Sequence, residues 1–259
     1  MLPSTERFSD RVDNYVRYRP SYPTALIDVL RERALSGPAP RTDSAIADIG
    51  SGTGIFTTLL LPLAARVYAV EPNAEMRAAA EQRLSGASGF VSVAATAEAT
   101  TLPDASVDLV TAAQAFHWFD PIACRREFAR ILKPGGRIAL IWNQRIVGGT
   151  PFLADYEKLL FQHIAEHRKT RQSDFSPAHI AAFFEPARFE TIEAPNEQHF
   201  DLPGLIGRTL SSSYAPNPGQ PGHDVFVAEL QRIFQQHARD DRVTLRYQTR
   251  LYLGVPHHA

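Results

Sequence analysis

Only one cysteine, Cys124, occurs in the 259 residues, so no internal disulfide can form. This fits a reducing compartment and removes the disulfide-stapled classes of small domain. Cys124 falls among apolar and basic residues of an expected helix, where a thiol serves as a small buried filler. Net charge is nearly absent too, with 27 Lys and Arg against 28 Asp and Glu and a sequence pI of 6.8. Such a balance disfavours a binder held mainly by electrostatics to nucleic acid or a membrane surface. No long apolar run exists. The greasiest stretch, "TTLLLPLAA", is broken by Pro62 and falls well short of the ~20 residues that span a bilayer. The opening "MLPSTERFSD" has no apolar h-region, so no secretory signal is expected. These absences together predict a cytoplasmic protein with no membrane and no nucleic-acid partner. A P-loop is excluded at the one glycine-rich stretch, because no G-K-S/T closes it.

Between residues 43 and 143 the pattern is one of alternating strands and helices. "SAIADIG" (44–50), "RVYAVEP" (66–72), "FVSVAAT" (90–96), the run inside "SVDLVTAAQA" (106–115) and "RIALIWN" (137–143) read as strands. Asn73 opens a run of strong helix formers, and Asp120 followed by Pro121 opens another. "KPGG" (133–136) carries turn chemistry. Alternation of this kind predicts an α/β, doubly wound, mostly parallel sheet, with ligands beyond the carboxyl ends of the strands. Helices are expected before this core, in "RVDNYVRY" and "PTALIDVLRERAL". Further helices follow it, with a strand at "FETIEAPNEQHF" and a final strand over 242–255. Seven strands are expected, the last antiparallel.

The loop "AIADIGSGTG" (45–54) places glycines at 50, 52 and 54. A dinucleotide fingerprint from Gly50 would need Gly or Ala at 55 for close helix–strand packing. Ile55 is bulky and β-branched instead. Twenty-one residues after Gly50, Glu71 ends the second strand. An acid there accepts from ribose hydroxyls in nicotinamide and adenosyl cofactors alike. Glu71 alone leaves the cofactor open.

The ordered stretches "ADIGSGTG", "VYAVEPNAEM", "ATAEATTLPDASVDLVTAAQAFHWFD" and "LKPGGRIAL" resemble the successive motifs of class I S-adenosylmethionine-dependent methyltransferases. The resemblance covers roughly residues 8 to 145. "FSDRVDNYVRYRPSYP" and "AFHWFD" are most similar to the small-molecule branch, which includes trans-aconitate and quinone-biosynthesis methyltransferases. The resemblance implies a Rossmann-like sheet and S-adenosylmethionine as cofactor. Gly50, Ser51 and Gly52 would approach its methionine part, with Asp48 orienting the loop near the amino group. Glu71 would hold the ribose hydroxyls, while Pro72 and Met76 pack on the adenine. Thr96 stands where relatives often carry Asp to accept from the adenine amino group. The Ala97 amide would face the ring, and Gln114 the methionine or ribose portion. Tyr15 and Arg19 belong to a segment that closes over the cofactor in relatives.

The acceptor side carries no comparable motif. His117, just past the fourth strand, is the candidate catalytic base. Trp118, Trp142, Arg145 and Tyr214 are the candidate substrate residues, with Arg19 and Arg145 able to meet a substrate acid. A carboxylate acceptor needs no base, whereas a neutral hydroxyl or amine does. His163 and His167 have i, i+4 spacing, but "HIAEH" lacks the H-E-x-x-H order and a third ligand, so no metal is expected. The sequence thus predicts methyl transfer to a small-molecule acceptor, with a carboxylic acid as the candidate. A nicotinamide-dependent oxidoreductase and a non-catalytic S-adenosylmethionine-binding protein are the alternatives. One methyltransferase domain over 1–259 is expected to divide into a helical lid (1–42), a cofactor core (43–145), a helical insertion and cap (146–241), and a final strand and tail (242–259). Oligomeric state is not encoded in any recognisable feature.

Overall fold

A computed structural model describes residues 16–35, 43–164, 177–212 and 215–256. Tyr15, Tyr214 and His167 lie outside the described residues. Seven strands form one sheet: β1 (Ala45–Ile49), β2 (Arg66–Val70), β3 (Phe90–Val93), β4 (Val107–Ala113), β5 (Leu132–Arg145), β6 (Phe189–Phe200) and β7 (Val243–Gly254). Their spatial order is β3-β2-β1-β4-β5-β7-β6. The pairs among β1 to β5 are parallel. β7 runs antiparallel to both β5 and β6. This is the doubly wound, seven-stranded architecture expected, with the last strand reversed.

Every residue of β1 is buried, as a strand covered on both faces requires. Its odd and even positions feed different cores. Ala45, Ala47 and Ile49 join Leu140, Tyr252 and residues of α4 (Pro121–Ile131) and α6 (Pro177–Phe184). Ile46 joins Leu109, Ile141 and Leu251 with α1 (Thr24–Val29) and α2 (Ile55–Leu60). α1 continues as a π-helical turn, Leu30–Ala34. The helix after β2, α3 (Ala74–Leu84), starts where Asn73 Oδ1 accepts from Met76 N at 2.8 Å. Asp120 caps α4 through Ile122 N and Ala123 N. Cys124 is fully buried in the first core, and burial pushes its thiol pKa up, as suits a filler.

The turn expected at "KPGG" falls inside the range of β5. Pairing steps from Val107–Leu132 to Leu109–Arg137, so residues 133–136 bulge out of the ladder, with Gly135 at φ 82°. After β5 the chain builds a third core from α5 (Pro151–His163), α7 (Leu202–Leu210) and α8 (His223–His237), against the ends of β6 and β7.

Residues 18–22 cross this cap as a strap that leaves helical geometry after Tyr18. Gly207 of α7 receives the ring of Tyr18: a Cβ at 207 would sit 2.1 Å from Tyr18 Cε2. Gly207→Ala is therefore expected to displace the ring and quicken trypsin cleavage after Arg17. α7 itself should persist, since alanine is ~1 kcal/mol better than glycine inside a helix. Limited proteolysis beside circular dichroism checks both halves.

Candidate functional site

A cleft opens at the carboxyl ends of β1, β2, β4 and β5. Its floor is the glycine loop. Gly50, Gly52 and Gly54 all have positive φ, +67°, +56° and +76°, a region that glycine enters without the steric cost of a Cβ. Gly50 N and Ser51 N both donate to Val70 O, at 2.8 and 3.1 Å, which ties the loop to the end of β2. A Cβ at 50 would meet Ala115 Cβ at 2.5 Å.

Two buried carboxylates frame the loop. Asp48, 1% exposed, accepts from Thr57 Oγ1 at 2.6 Å and Thr111 Oγ1 at 2.8 Å. Burial, helped by the neighbouring charge of Glu71, raises its pKa to about 6 against these two hydrogen bonds. Glu71 accepts from Gly52 N and Asn73 N, each at 2.9 Å. Burial likewise raises its pKa, opposed by the two amides. Each carboxylate oxygen has two lone pairs, so Glu71 retains acceptor capacity toward the cleft.

The folded state thus holds the Asp48 proton more tightly than the unfolded chain does. The cost sets in as pH rises past 3.8, where the unfolded carboxyl ionises, and levels off once pH has passed about 6. At ~1.4 kcal/mol per pKa unit, the shift to about 6 amounts to about 3 kcal/mol at neutral pH. Asp48→Asn should remove this part of the decline in stability between pH 4.5 and 7.5. The same substitution should weaken any ligand that brings positive charge to the cleft. Denaturant titrations at the two pH values, with and without ligand, check both signs.

The rest of the wall comes from distant parts of the chain. Arg19, Pro20 and Tyr22 line it from the strap. Pro72 and Met76 line it beside Glu71. Thr96, Ala97 and Glu98 follow β3. Gln114, Trp118 and Phe119 follow β4, and Asn143 comes from β5. Gln114 sits at φ 56°, held by its N–H to Ile141 O at 2.9 Å and by Nε2 to Asn143 O at 3.2 Å. Strained backbone of this kind persists where surroundings over-determine it.

Of the residues predicted from sequence, Arg19, Asp48, Gly50, Ser51, Gly52, Glu71, Pro72, Met76, Thr96, Ala97, Gln114 and Trp118 all line the cleft. Three others lie elsewhere. His117 is exposed on the 3-10 turn Phe116–Trp118 and is not among the lining residues. That turn sends Phe116 into the core and leaves His117 outside, its ring tilted against Trp118 at 4.7 Å between centroids. Trp142 points to the opposite face of β5 from Asn143, against Tyr252 and Phe116, as strand alternation requires. Arg145 pairs with Glu157 and lies 5.0 Å from the Tyr156 ring centroid, in the cap interior. Tyr22, Asn73, Phe119 and Asn143 were not predicted. Asn73 and Phe119 fall inside the ordered motifs without being singled out there, whereas only tertiary packing brings Tyr22 and Asn143 to the cleft. Among the described residues no cluster of three or more His, Cys, Asp or Glu could hold a metal ion. His163 instead lies 3.3 Å from Glu229. Nor is any helix among them long and apolar enough to cross a membrane.

Residues 47–140 match the family described as "Methyltransferase domain", a segment running from β1 into β5. An uncharacterized methyltransferase of Mycobacterium tuberculosis is 42% identical over 142 residues, covering 53% of this chain and 52% of that protein. A Dictyostelium discoideum protein named as a methyltransferase is 29% identical over 231 residues, covering 83% and 81%. In fold, the chain is similar to a type II methyltransferase structure from Anaeromyxobacter dehalogenans. Its TM-score is 0.66 at 23% identity, covering 93% of this chain and all of that one. These matches support a methyltransferase domain of the class I, S-adenosylmethionine-dependent kind over residues 47–140. The chain spans about half the length of the curated relatives it matches first.

Proposed function

We propose that this protein transfers a methyl group from S-adenosylmethionine to a small-molecule acceptor, and that the acceptor is a carboxylic acid. The observation that carries the first half is the cradle itself: a left-handed glycine loop bound to the end of β2, flanked by Asp48 and Glu71. The cradle suits the donor chemically. Ser51 Oγ and Thr53 Oγ1 are buried at the cleft and have no hydrogen-bond partner among the described residues. Buried hydroxyls of this sort call for a polar ligand. Two buried acids favour a cationic one. Close-packed glycines admit backbone contact.

When bound, the donor supplies a sulfonium methyl that is already electrophilic. The chain's own task is placement and exclusion of water, and orientation of this kind contributes up to about 7–11 kcal/mol. Glu71 would hold the ribose hydroxyls, and Asp48 would face the positive end. Pro72 and Met76 would pack on the base, with Thr96 and the Ala97 amide at its edge. Arg19 would meet the donor carboxylate or the acceptor acid.

The carboxylic acid reading draws support from the cleft's side chains. No histidine lines it among the described residues, and His117 faces solvent. An acceptor that arrives as an anion requires no base. Arg19 supplies a cation at the wall. Trp118 would shape the acceptor pocket. The division into lid (1–42), core (43–145), cap (146–241) and final strand with tail (242–259) belongs to the same proposal, as does a cytoplasmic location.

Titration calorimetry with S-adenosylmethionine tests the donor. Folded protein that gives no heat overturns it. Incubation with methyl-labelled donor and a panel of organic acids, amines and phenols tests the acceptor. Methyl esters are expected; labelled amines or phenols with no ester overturn the carboxylate reading.

A further inference from the structure

The strap that closes one side of the cleft has no regular ladder to hold it. Two of its backbone carbonyls are taken by side-chain amides from β5 and β6. Ser21 O accepts from Asn196 Nδ2 at 2.7 Å and from Asn143 Nδ2 at 3.1 Å, which uses both of its lone pairs. Tyr18 O accepts from Gln198 Nε2 at 3.0 Å. The amides are themselves fixed. The second Asn196 Nδ2 hydrogen goes to Asn143 Oδ1 at 3.0 Å, which also accepts from Thr249 Oγ1 at 2.5 Å. Asn196 Oδ1 accepts from Glu197 N at 2.9 Å. Gln198 Oε1 accepts from Tyr247 Oη at 2.9 Å, and Tyr247 Oη accepts in turn from Arg208 Nε at 3.2 Å.

These donors lie on one side of the sheet by register. Asn143 pairs with Thr249 across β5 and β7, and Asn196 pairs with Tyr247 across β6 and β7. Amides pointed at backbone carbonyls fix where the strap runs regardless of its side chains. What the strap then presents is Arg19, Pro20 and Tyr22 at the cleft wall. Arg19 Nη2 donates to Ser211 O at 2.8 Å. The ring of Tyr22 stacks edge-on at 4.8 Å against Phe56 of α2.

We propose that Asn196 and Gln198 are positioning residues for donor binding. Neither lines the cleft. Both hold the backbone of residues 18–21 so that Arg19 and Tyr22 complete the donor's wall. A network in which each bond orients the next is stiff. The proposal rests on the donor being S-adenosylmethionine, and it adds that donor affinity is set in part from the sheet edge farthest from the glycine loop.

Gln198→Glu and Asn196→Asp are the informative variants. Each keeps the shape of the native side chain and removes the amide donor. Gln198→Glu also keeps an acceptor for Tyr247 Oη, so the cap interior stays bonded. Both should raise the S-adenosylmethionine Kd about tenfold at pH 7.5 and speed trypsin cleavage after Arg17, with the melting temperature nearly unchanged. For Gln198→Glu, the ratio of variant to unsubstituted Kd should shrink as pH falls to 5, because a protonated carboxyl can again donate to Tyr18 O. A merely structural loss would not recover this way. Unchanged Kd with faster cleavage overturns the proposal, as does unchanged Kd with unchanged cleavage. A Kd defect that does not respond to pH, or that comes with a large fall in melting temperature, also overturns it. If the unsubstituted protein binds no S-adenosylmethionine, the donor reading itself fails, and positioning for that donor falls with it. That result is distinct from a defect confined to the variants.

Discussion

Glu71→Gln should weaken S-adenosylmethionine binding by about two orders of magnitude. The carboxylate accepts from Gly52 N and Asn73 N at once. A glutamine offers one oxygen and one NH2 in the same space, so one backbone N–H must face another donor. Hydrogen bonds to a charged group are worth about 1.5–3 kcal/mol each, and tenfold in affinity is ~1.4 kcal/mol. The amide bonds form with or without ligand, so the expected factor comes from weakened contacts of residue 71 to the ligand and from displacement of Gly52. Glu71 also sets the position of Gly52, so the loss reaches beyond a single contact. Calorimetry measures it, and affinity within threefold of the unsubstituted protein would remove Glu71 from the donor site.

Gly50→Ala should cost about 3 kcal/mol of stability and abolish donor binding. At φ +67° an L side chain pays about 1–2 kcal/mol. Its Cβ would lie 2.5 Å from Ala115 Cβ and 3.1 Å from Phe119 Cζ. Overpacking of this sort adds about 1–3 kcal/mol. For a chain of this size the melting point should fall by about 10 °C. Ala115→Gly in the same chain removes the nearer clash and leaves the backbone strain. The double variant should therefore regain part of the lost stability, and a thermal melt of the three variants reads the coupling. Equal melting points for Gly50→Ala and the native chain would show that the loop yields.

The parts of this site carried by short-range chemistry were legible beforehand. Loop glycines, the acid at the end of β2 and the caps at Asn73 and Asp120 each obey rules that act within a few residues. The sheet followed from alternation. Orientation around single turns was less legible. "AFHWFD" offers four large rings, and only the 3-10 turn decides that Phe116 and Trp118 go inward while His117 goes out. Trp142 and Asn143 are neighbours on a strand, so one of them had to face away from the cleft. Period two states that a choice exists without saying which residue wins. "KPGG" has the composition of a turn, yet β4 continues to pair on both sides of it, and the ladder absorbs it as a bulge. Tyr22, Asn143 and the amides of β6 became visible only once the strap and the last two strands were placed side by side.

β7 lies between β5 and β6 although it follows both in the chain. Synthesis therefore delivers β6 before the strand that joins it to the sheet. Until residues 243–254 arrive, β5 ends the sheet as an open edge, and Asn196 and Gln198 have no fixed place beside Ser21 and Tyr18. Contacts so distant in sequence form late, because the loop they close must be ordered first. Residues 18–22 of the cleft wall are thus made well before residues 243–254, the strand that lets them be locked. On the ribosome, this cleft wall is completed only after β7 has joined the sheet.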